Sequence, residues 1–248
     1  MPKRAYEQQV ISEQDRAYVR GLVIHDDPVV LAFNKPSGLP VQTRNPDDRT
    51  LDGLLAAFAR SNGKRPRLVH RLDAQTSGVI VAAKTQPAAA FLSAAFAGRD
   101  VDKVYVALVS GAPFEGETGE INVPLARYKA RPELELIRAA RPGDQKPQEA
   151  RTLWRVLVSR GSTHLVQLEP QTGRMHQLRA HLSHIGRPIL GDPYYGGAAT
   201  LLGQPVPRLM LHAARLTLPH PDGRRLELNA PLPADFAAAI SAAGLDLV

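Results

Sequence analysis

The 248-residue chain has no cysteine. That excludes disulfides, a thiol nucleophile and any metal site built on thiolate. It also fits a reducing compartment, so a cytoplasmic location is expected. Long apolar runs are missing too: none approaches the ~18–20 residues a membrane-spanning helix needs, and no membrane partner is expected. Met1 to Arg20 is polar and mixed in charge, unlike a secretory leader. Acidic residues are in deficit, 24 against 31 Lys and Arg, and the isoelectric point is near 9.9. A polyanionic partner suits this balance, although so moderate an excess does not by itself identify nucleic acid. What the chain has in quantity is hydrophobic residues, 44% of the total. That is enough for a substantial core in one large domain or two small ones.

The first 20 residues show no clear periodicity and read as a surface segment, with a single folded domain over 21–248. Val29 to Phe33 is apolar and β-rich, a buried strand, and it runs into a loop at Asn34-Lys35-Pro36-Ser37-Gly38-Leu39. Leu51, Leu54, Leu55 and Phe58 fall at i, i+3, i+4 and i+7 and predict a helix capped by Thr50 or Asp48. Lys64, Arg65 and Arg67 form a small basic cluster. A second helix follows, with Thr85 as N-cap, Pro87 in its first turn, Gly98 at its end, and an apolar face of Phe91, Leu92, Ala95 and Phe96. Lys103 to Val109 reads as a strand with Lys103, Tyr105, Ala107 and Val109 on one face. Residues 127–150 are rich in charge, Pro and Gly and read as an exposed basic excursion. A hairpin around Gly161 is predicted from Thr152–Val158 and His164–Leu168, and strands at Leu209–Leu218 and Arg225–Leu228 flank a Pro221-Asp222-Gly223 turn. Pro233 begins a short closing helix.

Two stretches carry chemistry. In Val69-His70-Arg71-Leu72-Asp73-Ala74-Gln75-Thr76-Ser77-Gly78-Val79-Ile80-Val81-Ala82-Ala83-Lys84, polar residues crowd the first half and an apolar β-branched run follows Gly78. This is a loop carrying Arg71 and Asp73 into a buried strand, a common placement for a catalytic acid. In Thr172-Gly173-Arg174-Met175-His176-Gln177-Leu178-Arg179-Ala180-His181-Leu182, Thr172 can cap a helix that Gly186 ends. Met175, Leu178, Leu182 and Ile185 supply its apolar stripe, so Arg179 borders the core and needs an anion or several carbonyls there. Other chemistries fit poorly. His176, His181 and His184 lack the spacing of a helical zinc site, so no metal is expected. There is no Gly-x-Ser-x-Gly elbow, no phosphate-cradling glycine loop and no paired carboxylate near Asp73.

The first stretch, with its His-Arg-Leu-Asp, Thr-Ser-Gly and Ala-Lys, resembles the signature of the RluA-type RNA pseudouridine synthases. The Asn-Lys-Pro-x-Gly segment at 34–38, the Lys-x-Tyr-x-Ala setting of Tyr105, the Gly-Arg-x-His-Gln-Leu-Arg-x-His run at 173–181 and the loop at 186–196 are similar to further motifs of that family. The resemblance covers roughly residues 24–230 and leaves out the N-terminal RNA-binding domain that some members carry. It implies an α+β fold, a mixed, largely antiparallel sheet flanked by helices with a central basic cleft. It also implies isomerisation of uridine in ribosomal or transfer RNA without cofactor or metal. Asp73 matches the catalytic aspartate, Arg179 its ion-pair partner with Arg174 the weaker match, and Tyr105 the residue that packs on the uracil. Arg71, His70, Lys35, Arg174 and His176 are the expected RNA contacts, and a monomer is expected. The rival from another class is a non-catalytic RNA-binding module of the same fold. The set of Asp73, Tyr105 and Arg179 argues against it, since a pure binder gains nothing from an acid facing phosphates.

Overall fold

Strand burial organises the architecture. The computed structural model describes residues 11–43, 45 and 47–246. Contacts divide the chain into two compact units, Met1–Val101 with Thr217–Ala230 and Asp102–Leu216 with Pro231–Val248.

The first unit opens on helix α1 (Glu13–Gly21), capped by the Ser12 hydroxyl, which accepts the Asp15 N–H. Glu13 and Asp15 in its first turn and Arg20 in its last suit the helix dipole. Over residues 13–20 the segment is this helix, seated by Val19, which is fully buried, and by Arg16, which donates to the Ala57 carbonyl. Residues 1–10 of that segment lie outside the described residues. Strands β1 (Val23–Asp26) and β2 (Val30–Lys35) form an antiparallel hairpin. The unbroken apolar run of β2 is buried on both faces. The next helix is split: α2 (Leu51–Leu54), with the Gly53 N–H on the Thr50 hydroxyl, tightens into a 3₁₀ turn over Leu55–Phe58. Strand β3 (Arg67–Leu68) pairs with one end of β4 (Ser77–Ala83), and β2 pairs along the whole of β4 from Lys35↔Gly78 to Val30↔Ala83. Every residue of β4 is buried. Helix α3 (Gln86–Gly98) starts at Thr85, as its cap chemistry predicts. Its buried stripe is Ala88 and Leu92, one i,i+4 row. Phe91 falls off that row and is 41% exposed, against expectation.

In the second unit β5 (Asp102–Ser110), β6 (Thr118–Asn122), β9 (Arg151–Arg160) and β10 (Thr163–Pro170) lie in the antiparallel order β5-β10-β9-β6. The β9–β10 turn needs Gly161, whose φ is +57°. Between β6 and β9 the expected loop is corrected. Residues there form β7 (Leu125–Arg131) and β8 (Leu134–Ala139), a separate antiparallel pair. Its Leu125, Leu136 and Ile137 are buried with Ala180 and Tyr195, so the apolar side chains hidden among the charges give it a core of its own. Arg127, Lys129 and Arg131 stay exposed. Helix α4 (Gln177–His184) follows β10, and a small hairpin of β11 (Thr200–Leu201) and β12 (Gln204–Pro205) comes next. Strand β13 (Leu211–Pro219) runs on from the second unit into the first, to which β14 (Arg225–Asn229) belongs. Helix α5 (Ala234–Ala242) adds Phe236 and Ile240 to the core of β5 and β10. The result is an α+β architecture with largely antiparallel strands flanked by helices.

Candidate active site

In the first unit the site is a tight turn in front of β4. Asp73 accepts the Thr76 N–H on its backbone carbonyl at 3.1 Å, and its side chain is half-buried. The next residue is held from outside the turn. The Ala74 carbonyl accepts the Gly38 N–H at 2.9 Å and the Lys35 ammonium at 2.9 Å. The Ser37 hydroxyl donates to the Gln75 carbonyl at 2.7 Å. Both the Lys-Pro-x-Gly loop and the Asp73 turn therefore depend on Lys35. That lysine is 0% exposed, and its Nζ also donates to the carbonyls of Pro36 and Leu39, each at 2.9 Å. Its expected contact with RNA is corrected: a buried ammonium must satisfy its protons internally, and here three carbonyls do so. His70 is also drawn into the packing. Its Nε2 accepts the Val81 N–H at 3.0 Å, and its ring stacks on Phe96 at 4.3 Å. Through these contacts the half-buried ring braces the β4 strand. Arg71 stands exposed two residues before Asp73.

In the second unit the corresponding cluster gathers at the start of α4. Arg179 is 3% exposed. Its Nε and Nη2 donate to the two carboxylate oxygens of Asp192, each at 2.8 Å. Asp192 is itself buried and accepts the backbone N–H groups of Tyr194 and Tyr195. The Tyr195 ring lies 4.9 Å from the guanidinium carbon. The loop bearing Asp192 closes only with glycine at two places: a Cβ on Gly191 would sit 2.0 Å from the Arg208 carbonyl oxygen, and one on Gly197 1.9 Å from that of Ile189. Tyr105 is half-buried on β5, opposite Leu168 of β10. Arg174 donates through Nε to the Glu149 carbonyl at 2.9 Å.

Thr172 does not cap α4. Its hydroxyl donates to Gln177 Oε1 at 2.7 Å, and Gln177 in turn donates to the Arg151 carbonyl and the Thr152 hydroxyl. The helix begins one turn later than expected, after His176, which has φ +49° and makes no side-chain cap. His176 Nδ1 lies 2.9 Å from the Tyr195 hydroxyl. His181 faces the Thr152 hydroxyl and the Val123 carbonyl with its two ring nitrogens, and burial pushes its pKa down. Among the described residues no group of three or more His, Asp or Glu side chains is placed to hold a metal ion, and no helix is long and apolar enough to cross a membrane. Asp192, Tyr195 and Gln177 were not foreseen as site residues. The available signal for Asp192 was the demand of a core-bordering arginine for an anion, with one acid in the glycine-flanked loop that follows α4.

A family model described as RNA pseudouridylate synthase matches residues 29–184. The chain is 41% identical over 209 residues to an uncharacterized RNA pseudouridine synthase of Chloroflexus aurantiacus, covering 82% of this chain and 63% of that one. It is 34% identical over 238 residues to the ribosomal large subunit pseudouridine synthase D of Haemophilus ducreyi, covering 90% of this chain and 71% of that protein. The solved structure of human RNA pseudouridylate synthase domain containing 4 superposes with a TM-score of 0.76 at 29% identity, covering 93% of this chain and 97% of its own.

Proposed function

The chain belongs to the RNA pseudouridylate synthase family, a family of isomerases, and from that premise we propose that it converts uridines of structured RNA, ribosomal or transfer, to pseudouridine. The relative named for the ribosomal large subunit favours ribosomal RNA. The observation that carries the reading is Asp73 on a turn fastened at its next two residues, in front of a fully buried strand. In the reaction the bond from ribose C1′ to uracil N1 breaks, the base turns, and C1′ bonds to C5. The C5 proton leaves and N1 gains one, so nothing is oxidised, reduced or hydrolysed overall. Asp73 supplies a carboxylate as nucleophile or base and is regenerated. Arg179 is held as a permanent cation by Asp192. Tyr105 packs against the uracil, and Arg174 and His176 contact the RNA.

The test is to map pseudouridine in cellular RNA with and without this protein. Uridines converted only in its presence support the reading. An RNA that is bound but never modified would make the chain a binding module instead.

Two substitutions probe the RNA contacts. Aromatic stacking on a base is worth on the order of 1–3 kcal/mol. Tyr105→Leu is therefore expected to weaken turnover of substrate more than Tyr105→Phe, which keeps the ring. Equal damage from both in steady-state assays would shift the role to the hydroxyl. A paired uridine must leave its stack, at a cost of a few kcal/mol. Arg71, exposed beside Asp73, has a planar cation that can fill the vacated space and bond phosphates. Arg71→Ala is expected to slow single-turnover conversion of a paired uridine more than of the same uridine in an open strand. Equal losses on the two RNAs would reduce Arg71 to a brace for the loop.

A further inference from the structure

A buried chain of hydrogen bonds ends on the turn that carries Arg174. Its members, His181, Thr152, Gln177 and Thr172, are all buried, and backbone groups fix its direction. The Val123 carbonyl lies 3.0 Å from His181 Nε2. A carbonyl can only accept, so Nε2 carries a ring proton. Burial pushes the His181 pKa down, which keeps the ring neutral and leaves Nδ1 bare. The Thr152 hydroxyl, 2.9 Å from Nδ1, is then the donor of that pair. With its proton so committed, the Thr152 oxygen accepts from Gln177 Nε2 at 3.0 Å. The Arg151 carbonyl accepts from the same nitrogen at 2.9 Å, which fixes the orientation of the amide. Gln177 Oε1 is thereby turned to the 172–174 segment. There it accepts the Thr172 hydroxyl at 2.7 Å and the Arg174 backbone N–H at 3.1 Å.

Arg174 is held at two points. Gln177 takes its backbone N–H, and the Glu149 carbonyl takes its Nε at 2.9 Å. Among the described residues neither Nη group has a protein partner, and together they form the planar fork that suits phosphate. We propose that His181, Thr152 and Gln177 are positioning residues, a buried chain that sets the 172–174 turn so that the Arg174 guanidinium meets an RNA phosphate already oriented. This rests on the reading of the chain as an RNA pseudouridine synthase with Arg174 in contact with RNA. Orienting the arginine in advance lowers the cost of ordering a flexible side chain on binding. The chain acts on affinity, because the arginine it orients grips the RNA backbone rather than the uridine.

The experiment uses the full chain and an in vitro transcript of large-subunit ribosomal RNA. Imidazole ¹⁵N NMR near neutral pH is expected to show His181 with Nδ1 bare and Nε2 protonated. Thr152→Val keeps the branched shape of the side chain and removes the hydroxyl. It is expected to weaken RNA binding roughly fivefold, about one hydrogen bond, with the conversion rate at saturating RNA little changed. Thr152→Ser keeps the hydroxyl and is expected to bind as the parent does. In an Arg174→Ala background Thr152→Val is expected to weaken binding no further, a coupling that general loosening of the fold would not produce. A proton on His181 Nδ1 in the unmodified protein would overturn the chain, whether or not the valine variant folds. Unchanged affinity in Thr152→Val, a serine variant as weak as the valine one, or equal losses with and without Arg174 would overturn its role toward RNA. If the binding results hold but the transcript never gains pseudouridine, the reading of activity on ribosomal RNA falls while the positioning stands.

Discussion

Asp73→Asn is expected to abolish pseudouridine formation while RNA affinity stays within about threefold, since one acid fewer near phosphates does not weaken binding. The substitution keeps the size of the side chain and removes its charge. It leaves in place the contacts that the Asp73 and Ala74 carbonyls make with Thr76, Gly38 and Lys35. An amide can neither attack carbon as a carboxylate does nor take a proton in its place, so both possible roles of Asp73 fail together. The check is mass spectrometry of a target RNA after single turnover, beside a binding assay on the same preparation. Substantial conversion by a folded Asp73→Asn protein would remove Asp73 from the chemistry.

How much of this was legible in the residues depends on whether the deciding contact is local. The Asp73 loop could be placed because turn formers and a β-branched run lie side by side in the chain. Thr85 could be placed as a cap because its partner, the Ala88 N–H, is three residues away. The fate of Lys35 could not. Its motif marks a loop, but the carbonyl of Ala74 is 39 residues distant, and nothing in Asn-Lys-Pro-Ser-Gly says that the ammonium turns inward. The same holds for α4. Thr172 has the right chemistry for a cap, yet Gln177, anchored on the Arg151 carbonyl and Thr152 hydroxyl of β9, competes for that hydroxyl and delays the helix. In β7 and β8 the charged residues dominated the reading because they occupy the exposed positions. The buried Leu125, Leu136 and Ile137 that make it a hairpin find their partners in Ala180 and Tyr195, well down the chain.

Asp192→Asn is expected to destabilise the protein by about 3 kcal/mol, the order of a charge-assisted hydrogen bond lost at a buried carboxylate. Arg179 cannot release its proton to relieve the loss, and at 3% exposure it cannot reach water without moving α4. Asparagine can still accept from the Tyr194 and Tyr195 N–H groups and from one guanidinium nitrogen. Its amide nitrogen then faces the other guanidinium N–H, donor against donor, where the carboxylate now accepts at 2.8 Å. Denaturant midpoints measure the effect, and a variant unfolding at the parental midpoint would show that the pair contributes little. The role of Arg179 beyond stability separates in the double change Arg179→Met with Asp192→Asn, which removes both charges and keeps an acceptor for the Tyr194 and Tyr195 N–H groups. With the guanidinium replaced by an apolar side chain, the asparagine no longer faces a second donor and no charge is buried at the pair, so part of the lost stability is expected to return. Activity is not expected to return with it, because the cation that Asp192 holds in place would be gone. A stable and active double variant would confine the pair to holding the loop of Asp192 against α4.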